Sequence, residues 1–189
     1  MQGNRARLAG IIRRCLDEGA TVEIEGLGVF RPGPHGYGFR PATLPRVFVA
    51  YVQEDLAPAV RLYEQLRKCG YDAWLDKRRL LPGQNWPRAI ESAIEVSDFF
   101  IACLSRRAVS KKGQFQSELR YALDCARRIP LDDVFFIPVR LEDCSVPSRI
   151  RREIQYVDLF PDWEKGFRRV LSVMEEQRRK RAEVLPLAG

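Results

Sequence analysis

The chain has 189 residues, 46% of them hydrophobic and 30% charged, which is enough for one well-buried domain with length left over for an appendage. Its formal net charge of +7 favours acidic partners, yet the excess is dispersed, +2 in residues 1–45, +3 in 46–160 and +2 in 161–189, which argues against a nucleic-acid-binding arm. A single histidine, His35 in the turn-like "RPGPHGYGF", excludes histidine triads and zinc centres, so no metal is expected and any chemistry must rest on carboxylates, hydroxyls or lysines.

Residues 1–45 read as a helix, a hairpin and a third short strand. Leu8, Ile11, Ile12 and Cys15 form a helical stripe that Gly19 ends, Val22 and Ile24 alternate, and Gly26 and Gly28 shape a turn. The G-x-G there is no nucleotide fingerprint, because no helix follows it.

From Arg46 onward, short apolar runs alternate with longer helical patterns. "RVFVAYV" is a buried strand, and Leu56, Val60, Leu62, Tyr63 and Leu66 mark a helix over 56–69 that Gly70 stops. Asp55 is placed to cap that helix. "YDAWLD" is a second strand, "KRRLLPGQN" a loop, and residues 86–96 a helix carrying Ile90 and Ile94. "SDFFIACLS" is a third strand, "DVFFIPVRL" a fourth and "QYVDLF" a fifth. A helix over 163–181 ends in the charged run "EEQRRKR", a solvated and fraying tail.

Strands apolar on both faces, alternating with helices, signify a parallel sheet covered on both sides. Five strands imply a flavodoxin-like α/β fold, with ligands expected beyond the carboxyl ends of the first and third strands, at loops 51–55 and 105–114. The five cysteines, Cys15, Cys69, Cys103, Cys125 and Cys144, contain no C-x-x-C pair and read as small buried hydrophobes in a reducing cytoplasm. No run approaches the roughly 20 apolar residues of a membrane span, so a soluble protein without a membrane partner is expected.

The helix opening at "KKGQFQSELRYALD" carries Phe115, Leu119, Ala122, Leu123 and Ala126 as its apolar stripe, with Glu118 on the flank. The positions four residues away are Gln114 and Ala122, so no opposite charge is placed to pair with Glu118 along the helix.

These pieces, "VFVAYVQED", "GYDAWLD", "LLPGQNW", "SDFFIACLS" and "GQFQSELRYAL", resemble in order and spacing the Toll/interleukin receptor (TIR) domain in its bacterial form, over residues 46–160. The resemblance implies a TIR core at 46–160, completed by the helix within 161–189. It also implies cleavage of NAD+ between ribose and nicotinamide, with Glu118 as catalytic carboxylate and NAD+ as substrate rather than bound cofactor. Substrate contacts are expected from Tyr51, Val52, Gln53, Asp76, Leu80, Ser105, Gln114 and Phe115, where Gln114 stands at a position often aromatic in enzymatic relatives. Asp76 reads more simply as an anchor for its turn, and Lys111 and Lys112 as candidates for the pyrophosphate or as solvated charges. Leu80, Leu81, Pro82 and Gly83 form the BB loop, through which TIR domains self-associate. Such a protein would act as a defence or signalling effector switched on by assembly, or as a non-catalytic adaptor.

One carboxylate suits this reaction. Most glycosidases need two because the leaving group must be protonated, whereas nicotinamide leaves as a neutral molecule from a cationic ring. A single carboxylate facing the developing oxocarbenium charge is sufficient. A helix N-terminus favours its ionised form and burial opposes it. The run "EGATVEIEGLGVF" followed by "FRPAT" resembles part of the HU and integration host factor family without its DNA-entering arm. That implies dimerisation through residues 1–45, a small decoration packed on the TIR core or, as the weakest alternative, association with DNA.

Overall fold

The computed structural model describes residues 2–24, 28–33, 36–41, 44–75 and 85–184. The chain divides into two compact units, Met1–Leu44 and Pro45–Gly189.

In the first unit, helix α1 (Gln2–Asp17) precedes three antiparallel strands, β1 (Val22–Ile24), β2 (Gly28–Gly33) and β3 (Gly36–Pro41), in the order β1-β2-β3. The Tyr37 hydroxyl donates to the Asp17 carboxylate, tying β3 to the end of α1. Leu16 is buried, but Ile11 is 51% exposed, so the expected apolar stripe of α1 is only partly covered.

The second unit is a five-stranded parallel sheet. Its strands are β4 (Arg46–Ala50), β5 (Asp72–Leu75), β6 (Phe99–Leu104), β7 (Phe136–Arg140) and β8 (Val157–Asp158), in the order β5-β4-β6-β7-β8. This is the flavodoxin-like order expected from the sequence. Parallel neighbours need crossovers, supplied by α2 (Leu56–Lys68), α3 (Trp86–Glu95), α4 (Arg106–Ser110), α5 (Gln114–Ala126) and α6 (Ser148–Glu153), while α7 (Trp163–Val184) follows the last strand.

The period-2 alternation of each strand sorts side chains into two cores. Val47, Val49, Tyr51, Phe99, Ile101 and Cys103 meet Leu62 and Leu66 of α2 and Phe167, Val170 and Met174 of α7. Phe48, Ala50, Val52, Phe100, Ala102 and Leu104 meet Ile90 and Ile94 of α3, Phe115, Leu119 and Ala122 of α5, and Ile150 of α6. On the second face, Phe48, Phe100 and Phe136 stack across three adjacent strands with centroids 5.3 Å apart at each step.

The two-residue strand β8 is held mainly by side chains. Arg140 of β7 grips Asp158 with Nε to Oδ1 at 2.6 Å and Nη2 to Oδ2 at 2.9 Å, and its guanidinium lies over the rings of Tyr156 and Phe160. Pro138, which has no N–H to give, precedes the Val139–Arg140 stretch that pairs with β8. Gly166 lets α7 approach this edge, since a Cβ there would sit 2.2 Å from the Asp158 carbonyl oxygen.

Four sequence expectations need correction. The charged run 175–181, expected as a solvated and fraying tail, lies within α7 and is packed: Gln177 is buried and accepts the Val134 N–H at 3.0 Å, and Arg181 pairs with Asp98 at 3.3 Å and Asp133 at 3.4 Å. Asp55 makes no capping bond to α2; its carboxylate is drawn to Ser105 instead. The stretch read as a loop after the third strand contains α4, and α6 was not foreseen, since helices of 5 and 6 residues are too short to show a period. Cys69 is exposed at the end of α2, whereas Cys103 and Cys144 are buried as expected.

Candidate functional site

Two places in the sheet unit gather polar groups. The first is the switch point, where β4 leads to α2 on one face and β6 leads to α4 and α5 on the other. A 3-10 turn, Gln53–Asp55, follows β4 and presents Asp55 to the end of β6. The Ser105 hydroxyl donates to Asp55 Oδ2 at 2.6 Å and accepts the Ala108 N–H at 3.0 Å, so it caps α4 while clasping the two loops together. Glu142 Oε1 accepts the Arg106 N–H at 2.9 Å, placing a second carboxylate at the start of α4. Burial pushes the Asp55 carboxyl above its ordinary range, repulsion from Glu142 and Glu54 adds to this, and the Ser105 bond opposes it. Lys111, a candidate for the pyrophosphate, pairs with Glu54 at 2.6 Å, and that bond holds Glu54 below the usual carboxylate range.

The second place is the groove between α3 and α5. Asn85 Oδ1 accepts the Arg88 N–H at 3.4 Å, and Pro87 occupies the first turn, so the start of α3 is well defined. Gly113, at φ +122, permits the abrupt start of α5. Helical periodicity then turns Phe115, Leu119 and Ala122 into the core and leaves Glu118 beside them, 2% exposed. Between the helices lies a cavity of about 410 Å³, a size suited to a small ligand. Ile90 and Ile94 give it an apolar wall, and α5 contributes Gln114, Glu118 and Tyr121. The Tyr121 hydroxyl donates to Glu95 Oε1 at 2.5 Å, which pushes the phenol up to about 12.

The structure brings together some of the residues singled out by the sequence and separates others. Glu118 and Gln114 share the cavity. Phe115 is buried in the core between α5 and the sheet, and Val52 belongs to the same core. Tyr51 belongs to the core on the opposite face of the sheet from Glu118. Gln53 is exposed on the turn after β4, and Ser105 is committed to the Asp55 clasp. Asp76, Leu80, Leu81, Pro82 and Gly83 lie outside the described residues.

The sequence reading missed Tyr121 and Glu95. Position 121 follows Glu118 by three residues and therefore shares its side of the helix, a signal present in the spacing. Glu95, on another helix, carried none.

A larger cavity of about 710 Å³ opens among the end of α5, the start of β7, α6 and α7. Its walls include Leu123, Val134, Phe135 and Val173, and one of its carboxylates, Asp133, is held by Arg181 at 3.4 Å. It offers apolar surface rather than a buried carboxylate. Among the described residues, no cluster could hold a metal ion, and no helix is long and apolar enough to cross a membrane.

Comparison with known proteins agrees with this architecture. A family model for the TIR domain matches residues 47–171. The uncharacterized protein y4cD of Sinorhizobium fredii (strain NBRC 101917 / NGR234) is 26% identical over 121 residues, which is 64% of this chain but only 19% of that protein's length. The chain thus aligns with about a fifth of that relative. Among solved structures, the TIR domain of the Toll-related receptor TRR-2 from Hydra magnipapillata is similar with a TM-score of 0.57 at 23% identity, over 70% of this chain and 97% of that one. A prokaryotic SEFIR domain is similar with a TM-score of 0.52 at 15% identity, over 68% of this chain and 97% of that one. Both are likenesses of fold. None of these matches supports the expected likeness of residues 1–45 to the HU and integration host factor family. With the family match spanning the parallel sheet and its helices, the chain belongs to the TIR domain family.

Proposed function

We propose that the chain cleaves NAD+ at the bond between ribose and nicotinamide, with Glu118 as the catalytic carboxylate. The observation that carries this reading is Glu118 itself, a carboxylate buried to 2% exposure yet lining a cavity of about 410 Å³. A buried acidic group that faces an opening rather than the core is uncommon without a role.

In the reaction, the bond between ribose C1′ and the pyridinium nitrogen breaks. Its electron pair goes to the ring, which leaves as neutral nicotinamide. The ribosyl carbon becomes cationic, and Glu118 stabilises it through charge and through hydrogen bonds to the ribose hydroxyls. Water then adds at C1′ and releases a proton, giving ADP-ribose; attack by a ring nitrogen of the adenine gives a cyclic isomer. No general acid is needed, which fits a chain with one histidine.

Self-association through the BB loop, residues 80–83, is proposed as the switch, and NAD+ depletion as the output of a defence or signalling effector. The test is nicotinamide release from NAD+ by concentrated, assembled protein. Glu118→Ala is expected to lower the rate by at least about 100-fold while keeping its fold. No release from assembled wild type would remove the enzymatic reading.

Gln114 at the cavity and Phe115 in the core favour a second reading, a non-catalytic adaptor acting by TIR–TIR contact. Assembly without nicotinamide release would establish it.

A further inference from the structure

We propose that the cavity of about 710 Å³ at the β8 edge of the sheet binds a small amphiphile with an apolar chain and one anionic head, a medium-chain carboxylate being the simplest case, and that Arg127 and Arg149 hold the head. The cavity shares no lining residue with the α3–α5 groove, and the inference does not depend on NAD+ cleavage.

The cavity follows from how the sheet ends. β8 has two residues and pairs with β7 only at Val139 and Arg140, so Phe136 and Ile137 have no strand beside them on that side. Pro138, between the two stretches, has no N–H with which to extend the ladder. The residues before β8, Ile154–Tyr156, line the cavity instead of continuing the pairing. Three helices close the gap, each with residues one turn apart: Leu123 and Arg127 of α5, Arg149 and Glu153 of α6, and Arg169 and Val173 of α7.

Two features of this lining describe the occupant. The first is apolar surface left unfinished. Phe135 and Phe136 form a buried floor, whereas Val134, Ile154 and Val173 are only half-buried and Leu131 is fully exposed. Half-covered apolar side chains gathered around one opening favour an apolar guest over water, and the volume suits a small molecule.

The second feature is a pair of guanidiniums. Arg127 Nη1 and Arg149 Nη2, on different helices, lie 3.7 and 3.9 Å from the same atom, Asp124 Oδ1. Both distances exceed that of a hydrogen bond, and two cations share one carboxylate, so the pair keeps charge and N–H donors to offer. Among the described residues, neither arginine has a second carboxylate partner. A ligand carboxylate between them completes the pairing. Asp133, also on the lining, is already held by Arg181. Glu153, one turn along α6 from Arg149, limits the negative charge that the opening accepts, which favours a single carboxylate over a polyphosphate.

The test separates chain from head. Octanoate, 1-octanol and acetate are titrated into the full chain by calorimetry, for wild type, Arg149→Ala, Val173→Trp, Glu153→Gln and Arg168→Ala, and melting temperatures verify the fold of each variant. Octanoate carries both parts of the ligand, octanol the chain without the charge, and acetate the charge without the chain.

Wild type is expected to bind octanoate about 10-fold more tightly than octanol and to leave acetate unbound over the same range. Arg149→Ala should remove the preference for octanoate, Val173→Trp should fill the cavity and abolish binding of both, and Glu153→Gln should tighten octanoate by about 3-fold. Arg168→Ala, a neighbouring charge on α7 that does not line the cavity, should bind as wild type does. Equal affinity for octanoate and octanol, undiminished binding in a folded Val173→Trp, or no binding of octanoate overturns the proposal. Sedimentation of the same samples tests whether a second copy covers the opening instead. Self-association that is lost in Leu131→Asp and indifferent to octanoate would assign the opening to that contact and overturn the ligand site.

Discussion

The switch point and the α3–α5 groove lie on one sheet unit and differ in what their polar groups do. At the switch point, Asp55, Ser105, Ala108 N–H, Arg106 N–H and Glu142 satisfy one another, and Lys111 is paired with Glu54. In the groove, a buried carboxylate and a fixed aromatic ring line a cavity. Fold rules direct attention to the first place, because ligands of open α/β sheets gather beyond the strand ends. The hydrogen bonds account for the first as structure, and the proposed chemistry belongs to the second.

The largest expected effect breaks this comparison most sharply. Glu118→Gln preserves shape and removes charge, and is expected to lower nicotinamide release by about 100-fold or more without lowering the melting temperature. A smaller effect belongs to the clasp. Ser105→Ala removes the cap of α4 and the partner of a half-buried carboxyl, and should cost about 1–3 kcal/mol in a denaturant titration. A melting midpoint and m-value equal to wild type would show that the clasp is dispensable.

Titration distinguishes the two places further. The Tyr121 phenol, pushed up to about 12 by Glu95, adds stability that is complete below the ordinary tyrosine value of 10.0 and is lost as pH rises through about 12. Glu95→Gln should return this phenol toward its ordinary value in an ultraviolet absorbance titration. Asp55 is the smallest case. Its carboxyl also lies above its ordinary value of 3.8, so its contribution is complete below that value and is lost as pH rises through the folded one. Asp55→Asn keeps an oxygen for Ser105 and cannot ionise. It should therefore melt slightly above wild type at neutral pH, with the two curves converging below about pH 3.8. A gap that widens on acidification would contradict the direction of the shift.

Much of the fold was legible because it is written in periodicity. The doubly apolar strands Phe99–Leu104 and Phe136–Arg140 could only be buried on both faces, and the stripe of α5 placed Glu118 on a flank. Short-range polar choices were not legible. Asp55 precedes a helix and has the side chain of a cap, yet Ser105, fifty positions away, competes for it and wins. Tyr51 and Val52 are neighbours in sequence, and strand alternation sends them to opposite faces, a consequence available from the period but easily lost when a loop is treated as one site. The pairing of Tyr121 with Glu95 joins two helices separated in sequence by β6 and α4, and nothing local in either segment announces it.

The most direct test compares Glu118→Gln with Asp55→Asn in one nicotinamide-release assay, with rates expressed per folded molecule of assembled protein. If the chemistry lies in the groove, Glu118→Gln is inactive and Asp55→Asn releases nicotinamide at a rate close to wild type. An active Glu118→Gln beside an inactive, well-folded Asp55→Asn would move the chemistry to the switch point and contradict the assignment.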